Sequence, residues 1–182
     1  IVVSPLEIRK RHAVTVTEFN DCSGNINAVA YTNVVLTEIS QKNDIVISEI
    51  LFNPKEELED YLEVYNQSAK YIDLLGWEIS NGSSVKSIVG HAFIEPNSFK
   101  VISSDLEGIL KTYPHARLEN LLKNDLPAFT NTSGAAAIRN SDKNLIDSIS
   151  YHEDWHFSYL NSFDGIALER LSFNRPAVSE SN

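Results

Sequence analysis

The chain has few of the residues that build common catalytic and redox sites. It contains a single cysteine, Cys22, which excludes an internal disulfide and leaves the redox compartment undecided, although a nearly thiol-free chain is compatible with export. Its seven glycines are scattered at turns, and it has no G-x-S-x-G elbow, P-loop or G-x-G-x-x-G motif. These absences argue against the hydrolase and nucleotide-binding classes that depend on those motifs.

Positive charge and long apolar runs are also scarce. Fifteen basic residues against 25 acidic ones leave a net charge of -10, the wrong sign for holding a phosphate backbone or an anionic membrane. No apolar run approaches the ~20 residues that a membrane-spanning helix needs. We therefore expect no nucleic-acid partner and no direct membrane insertion. A length of 182 residues, 42% of them hydrophobic, is enough for a globular protein with a real core.

What the chain does contain is a series of short strands between Ile45 and Gly82. In Tyr61–Asn66, Leu62 and Val64 alternate with more polar neighbours, which is the period of 2 of a half-buried strand. Trp77 follows a glycine that suits a tight turn into a strand, and we expect its large side chain to fill the space between two sheets. Turn residues separate these segments at the spacing typical of a β-sandwich.

One helix is predicted near 104–113. Ser104 and Glu107 match a capping box, and Pro114 closes the segment. Three further strands are expected near Ala136–Arg139, Leu145–Tyr151 and Ile166–Leu171, followed by a polar tail over 177–182.

The first segment of the chain reads as a hairpin. His12–Phe19 and Ala28–Thr37 are two predicted strands, joined by the turn-rich segment Asn20–Asn25. The layout, with Asp21, Gly24 and Asn25 in a D-x-x-G-N turn, resembles the closing strands of bacterial immunoglobulin-like modules. The resemblance implies that residues 1–43 are the end of a preceding module plus a linker.

Residues 44–176 carry a longer series of motifs. In chain order these are Ile47, Glu49, Ile50, Asn53 and Pro54 of an opening strand; Asp60, Glu63, Tyr65, Asn66 and Ser68 of a second strand; Leu74, Gly76 and Trp77 of an L-x-G-W turn; Asp147, Ser148 and Tyr151 of a D-s-x-s-Y strand; and Trp155, Gly165, Leu168, Glu169 and Arg170 of a closing L-E-R segment. This series resembles the lamin tail domain family, an immunoglobulin-like β-sandwich found in nuclear lamins and in many bacterial surface and secreted proteins.

The resemblance implies an all-β, immunoglobulin-like sandwich with one short inserted helix. It also implies a non-catalytic structural or binding module of a larger cell-surface or secreted bacterial protein, located outside the cell, in the periplasm or on the cell surface. Such a module spaces neighbouring domains of the same chain or binds a glycan or protein partner. The family has no shared active site to carry over, so no enzymatic activity is expected.

Charged residues on the predicted strands have a structural interpretation. We expect Glu63, Glu169 and Arg170 to form a structural ion pair or to line a solvated strand face, because such pairs are common on sheets.

A cluster of aromatic residues suggests a ligand site. Tyr151, Trp155, Phe157 and Tyr159 lie within a short span, and rings with polar rims often contact sugars or protein surfaces. The alternative is that Trp155 and Phe157 fold inward and close the end of the sandwich, since large apolar side chains are usually buried.

The sharpest enzymatic motif is His152-Glu153-Asp154-Trp155-His156, which matches the H-E-x-x-H signature of zinc peptidases. That signature works on an α-helix, where residues four apart share a face and both imidazoles reach one zinc ion. The preceding residues predict a strand, which places the motif in a loop. A metal-dependent hydrolase that uses His152 and His156 is therefore the alternative function.

Calcium is the other cofactor that the sequence allows. Glu56, Glu57, Glu59 and Asp60 form an acidic loop whose carboxylates could hold calcium and stiffen an adhesion module. Their spacing matches no EF-hand, and solvated charge is the simpler interpretation. No other cofactor is expected.

Overall fold

The computed structural model of the protein describes residues 5–175 and 177. Within these residues, thirteen strands and one α-helix form in the order β1 (His12–Asn20), β2 (Ile26–Val34), β3 (Ile45–Leu51), β4 (Tyr61–Asn66), β5 (Ile72–Asp73), β6 (Glu78–Ser80), β7 (Val85–Ser87), β8 (Phe93–Ile94), β9 (Phe99–Ser103), α1 (Leu106–Thr112), β10 (Leu121–Lys123), β11 (Ser133–Arg139), β12 (Leu145–His152) and β13 (Leu168–Glu169). Two single-turn 3₁₀ helices cover Leu118–Asn120 and Glu153–Trp155.

Two sheets enclose the main core. One has five strands in the order β10-β9-β4-β3-β13, and the other has four in the order β12-β11-β6-β7. Only β10 and β9 pair in parallel among these described strands. Buried side chains from both sheets meet in one cluster, among them Ile47, Val64, Ile102, Ile79, Ile138 and Ile149. The predicted all-β sandwich with one inserted helix is therefore confirmed.

Trp77 fills the core as predicted. Its side chain is buried in the main cluster. Gly76, with a φ of 76°, makes the turn before it, and the Trp77 amide donates to the Leu74 carbonyl over 3.0 Å. A side chain at position 76 would strain this backbone, because left-handed φ values favour glycine.

A β-bulge at Ser48 decides which residues of β3 face the core. Ile47 pairs with Val64, but the next paired residues are Glu49 and Glu63, so Ser48 is the extra residue. After the bulge, Ile50 belongs to the main core cluster, whereas Leu51 belongs to a second cluster under α1. The bulge thus places the Glu49 carboxylate on the outer face of the five-stranded sheet instead of in the core.

Helix α1 packs on that outer face. Ile109 contacts Leu51 and Tyr61 of the sheet in the second apolar cluster. The N-cap is Asp105, whose side chain accepts a hydrogen bond from the Gly108 amide over 2.9 Å. The predicted capping box at Ser104 is wrong, because the first helical residue is Leu106 and Ser104 lies one position too early to cap it.

The hairpin forms a separate two-stranded sheet. β1 and β2 pair antiparallel as predicted, although β2 begins at Ile26 and ends at Val34, somewhat earlier than expected. The turn is shorter than expected because the Asp21 side chain accepts hydrogen bonds from the Ser23 and Asn25 amides, over 2.8 and 2.9 Å. An ion pair of 3.0 Å between Arg9 and Glu38 holds the hairpin base. The assignment of residues 1–43 to a preceding module stays a prediction.

The C-terminal part of the described chain differs from the expected long strand and tail. β13 is only Leu168–Glu169, and it pairs with β3. Ala177, predicted to start a polar tail, is buried and forms a parallel bridge with Ile149 of β12. Backbone pairing therefore retains this residue against the sandwich. Residues 176 and 178–182 lie outside the described residues.

Candidate functional site

The segment after β12 presents two exposed aromatic rings. Phe157 and Tyr159 follow the 3₁₀ turn at Glu153–Trp155, and their residues are 68% and 84% exposed. The two ring centroids lie 5.3 Å apart with a tilt of 48°. Two neighbouring rings at this separation offer a solvent-facing apolar contact of the kind that partners use. The alternative in which Phe157 folds inward is wrong.

The other two members of the predicted aromatic site are not on this surface. Tyr151 is only 3% exposed, because its ring stacks on Phe52 with the centroids 4.4 Å apart. Its hydroxyl accepts a hydrogen bond from the Thr130 amide over 3.0 Å and donates to the Thr130 carbonyl over 3.1 Å. Trp155 is half-buried and lines a cavity of 130 Å³ between β3, β12 and β13. The aromatic site is therefore reduced to Phe157 and Tyr159.

The two histidines of the H-E-x-x-H motif have different surroundings. His156 is 7% exposed, and its ring lies against Phe163 and Phe52, with centroid distances of 5.0 and 5.8 Å. Burial lowers the pKa of His156 below its ordinary value. His152 ends β12 at the surface, where its Nδ1 accepts a hydrogen bond from the Asp154 amide over 3.1 Å.

The motif therefore lacks the α-helical geometry that a zinc peptidase needs. A single 3₁₀ turn separates the histidines, and one ring is enclosed by aromatic side chains. Within residues 5–175 and 177, no group of three or more His, Cys, Asp or Glu side chains is arranged to hold a metal ion. The alternative, a hydrolase centre at His152 and His156, is therefore not assembled among the described residues.

The acidic loop does not form a metal cluster either. The Glu57 carboxylate accepts a hydrogen bond from Lys111 of α1 over 2.8 Å, and this contact lowers the pKa of Glu57. Asp60 instead accepts a hydrogen bond from the Phe129 amide over 3.2 Å, and burial raises its pKa. Glu56 and Glu59 are exposed to solvent. The carboxylates serve different partners, so Glu57, Glu59 and Asp60 do not converge on one ion.

A row of glutamates on the five-stranded sheet is a feature that the sequence reasoning missed. Glu169 of β13 pairs with Glu49 of β3, and Glu49 pairs with Glu63 of β4. The Tyr61 hydroxyl donates to Glu49, and the Ser48 hydroxyl donates to Glu63 over 2.8 Å. Burial, followed by the charges of Glu49 and Glu169, raises the pKa of Glu63 to about 7. Ser48 is the residue that could have indicated this row, because the bulge at Ser48 brings Glu49 into register with Glu63 and Glu169.

Arg170 does not pair with these glutamates. It contacts Asp147 of β12 over 2.7 Å, and the two side chains are only 4% and 7% exposed. The same Asp147 oxygen accepts a hydrogen bond from the Ile47 amide over 2.8 Å. The predicted structural ion pair exists, but its acid is Asp147 because Arg170 faces the opposite side of the strand from Glu169.

Comparison with known proteins agrees with this architecture. No helix within the described residues is long and apolar enough to cross a membrane. A search of curated proteins found no match. The model of the Lamin Tail Domain matches residues 38–153, which run from the segment before β3 to just past the end of β12. β13, the edge strand of the five-stranded sheet, lies beyond the match. Since that model covers more than half of the sequence, the chain belongs to the lamin tail domain family, whose members are non-enzymatic, immunoglobulin-like β-sandwiches.

Proposed function

We propose that this lamin tail domain is a non-catalytic binding and spacing module of a larger bacterial protein that is secreted or displayed at the cell surface. The observation that carries the binding part is the exposed pair Phe157 and Tyr159 at one end of the sandwich. Aromatic rings of this kind contribute large contact areas at a low cost in side-chain entropy.

The residue just before the pair is packed against the sandwich. The preceding residue, His156, is packed against Phe163 and Phe52, and its amide donates to the Glu153 carbonyl over 3.1 Å. This packing supports a turn that holds the two rings ready for a partner. Preorganisation of this kind reduces the entropy lost on binding.

The class of ligand follows from the ring chemistry and the net charge. A glycan is the ligand we propose, because sugar C–H faces pack on exposed aromatic rings, and the polar residues Ser158 and Asn161 lie in the same short segment of the sequence. The net charge of -10 opposes polyanions such as nucleic acid. A protein partner is the second possibility, and the hairpin of β1 and β2 provides the connection to a neighbouring domain.

A glycan-binding experiment tests the site. The protein would be titrated into a panel of soluble bacterial and host oligosaccharides, with binding read from ¹H–¹⁵N chemical-shift changes. The double variant Phe157→Ala/Tyr159→Ala is expected to lose any binding, because both rings are removed. Tyr31→Ala is the matched control, since Tyr31 is a comparably exposed aromatic residue (78%) on β2 of the hairpin.

Two results would contradict the proposal. Binding that survives in the double variant would exclude this aromatic pair as the site. Absence of binding to every oligosaccharide in the panel would exclude a glycan ligand and leave a protein partner as the class to test.

A further inference from the structure

The row of glutamates on the outer face of the five-stranded sheet is unusual in its charge. Directly opposed residues in an antiparallel pair have Cβ atoms about 4.5 to 5.5 Å apart, and like charges in these positions repel. Glu169, Glu49 and Glu63 occupy three consecutive positions of this kind across β13, β3 and β4. Complete ionisation would therefore place three negative charges side by side.

Basic side chains near the row are engaged elsewhere. Lys111 of α1 pairs with Glu57, and Arg170 of the segment after β13 pairs with Asp147. Lys100 of β9 pairs in register with the core residue Val64, so it lies on the other face of the sheet, where it donates to the Glu119 carbonyl over 2.8 Å. In the described part of the chain, the ion pairs include none with the three glutamates. The charges that act on the pKa of Glu63 are those of Glu49 and Glu169, and both raise it.

The remaining neighbours of the row are apolar or weakly polar. Glu49 and Glu63 lie at the floor of a cavity of 250 Å³. Its other walls come from β4, β9, β10, α1 and the loop after α1, and consist of Tyr61, Val101, Leu121, Ile109, Tyr113 and Ala116. The Tyr61 hydroxyl donates to Glu49 and the Ser48 hydroxyl donates to Glu63, and these bonds partly stabilise the two carboxylate charges. Val101, which lies opposite Glu63, has no side-chain hydrogen-bond donor. A half-buried carboxylate in such surroundings favours its neutral form.

We propose that this row, Glu63 with Glu49 and Glu169, is a pH-sensitive switch in which Glu63 takes up a proton when the domain folds. Protonation removes the central repulsion between β3 and β4, so the five-stranded sheet is more stable in mildly acidic surroundings than in alkaline ones. The pKa values of the carboxyl groups agree with this assignment. The pKa of Glu63 is raised to about 7 and the pKa of Glu49 is also raised, in both cases chiefly by burial.

The direction of the pH effect follows from linkage. The ordinary pKa of a glutamate is 4.5, which applies to the unfolded chain, whereas the folded value for Glu63 is about 7. Between these values the folded state binds more protons than the unfolded state, so stability rises as the pH falls from 7 towards 4.5. Above pH 7 the folded domain carries the full penalty of a charged Glu63.

Thermal unfolding between pH 5 and pH 8.5 tests the switch. Glu63→Gln, which is uncharged at every pH, is expected to raise the Tm at pH 8.5 by about 2 to 6 °C. This expected increase is kept small because Glu63 is partly exposed and solvent screens its charge. The increase should disappear towards pH 5, where Glu63 is protonated in the folded wild type. Subtracting the two curves cancels the contributions of the five histidines, which both proteins share.

Glu56→Gln is the matched control, since it makes the same charge change on an exposed loop residue. This control should not reproduce the pH-dependent Tm difference of Glu63→Gln. Parallel curves for Glu63→Gln and the wild type would overturn the proposal.

A second measurement does not depend on a variant. The ¹³C chemical shift of the Glu63 carboxyl, followed through a pH titration of the wild type, should change with a midpoint well above 4.5. A midpoint at or below the ordinary glutamate value would also overturn the proposal.

Discussion

The buried ion pair between Arg170 and Asp147 offers the most direct test of how the sandwich is closed. It joins the segment after β13 to β12, and the Asp147 oxygen also accepts the Ile47 amide of β3. Replacing Arg170 by methionine keeps most of the apolar volume but removes the ion-pair partner of the buried Asp147 carboxylate. We expect Arg170→Met to lower the free energy of unfolding by about 3 to 5 kcal/mol, because an unpaired buried charge costs that much.

A second variant separates charge from packing. In Asp147→Asn/Arg170→Met, the asparagine oxygen still accepts the Ile47 amide, and no charge remains buried. The double variant should therefore be more stable than Arg170→Met alone, with a loss of at most about 2 kcal/mol relative to the wild type. Equilibrium urea unfolding followed by tryptophan fluorescence measures both, since Trp77 is buried and Trp155 is half-buried.

The control for this experiment is a surface pair. Lys143 and Glu78 lie 2.8 Å apart, but the Lys143 side chain is mostly in solvent, so Lys143→Met should change stability little. If Arg170→Met costs no more than this control, the pair is not buried in solution. If the double variant is no more stable than the single one, the cost comes from packing and the electrostatic reasoning is refuted.

Two further predictions concern metal binding and the helix cap. Added zinc should not raise the Tm of metal-stripped protein, because coordination by His156 would require its ring to leave Phe52 and Phe163; a zinc-dependent rise that is lost in His152→Ala would contradict this. Asp105→Ala should lower the free energy of unfolding, measured in urea, by about 1 kcal/mol, whereas Ser104→Ala should change it little. Equal losses in the two variants would show that Asp105 is not the N-cap.

Much of the fold was predictable because it depends on local patterns. The alternation in Tyr61–Asn66 predicted β4 at its observed bounds, and Gly76 before Trp77 predicted the turn and the buried ring. The cap of α1 was misplaced by one residue, because Ser104 and Asp105 are both good caps and the choice depends on where the backbone leaves β9.

The candidate site was only partly predictable. Aromatic composition identified the segment that contains Phe157 and Tyr159, but it could not show that Tyr151 stacks on Phe52, which lies almost a hundred residues earlier in the chain. The H-E-x-x-H spacing could be judged against the strand that precedes it. The pocket between Phe52 and Phe163 that encloses His156 depends on contacts distant in sequence.

By itself, the sequence determined the fold class, the family and the acidic charge, because these depend on composition, on the period of 2 and on the order of local motifs. Tertiary structure alone decided which charges meet. The bulge at Ser48 shifts the pairing of β3 by one residue, and since side chains alternate between faces, this shift places Glu49 in line with Glu63 and Glu169. The tertiary structure also decided that Arg170 contacts Asp147, because that contact requires two sheets to pack together.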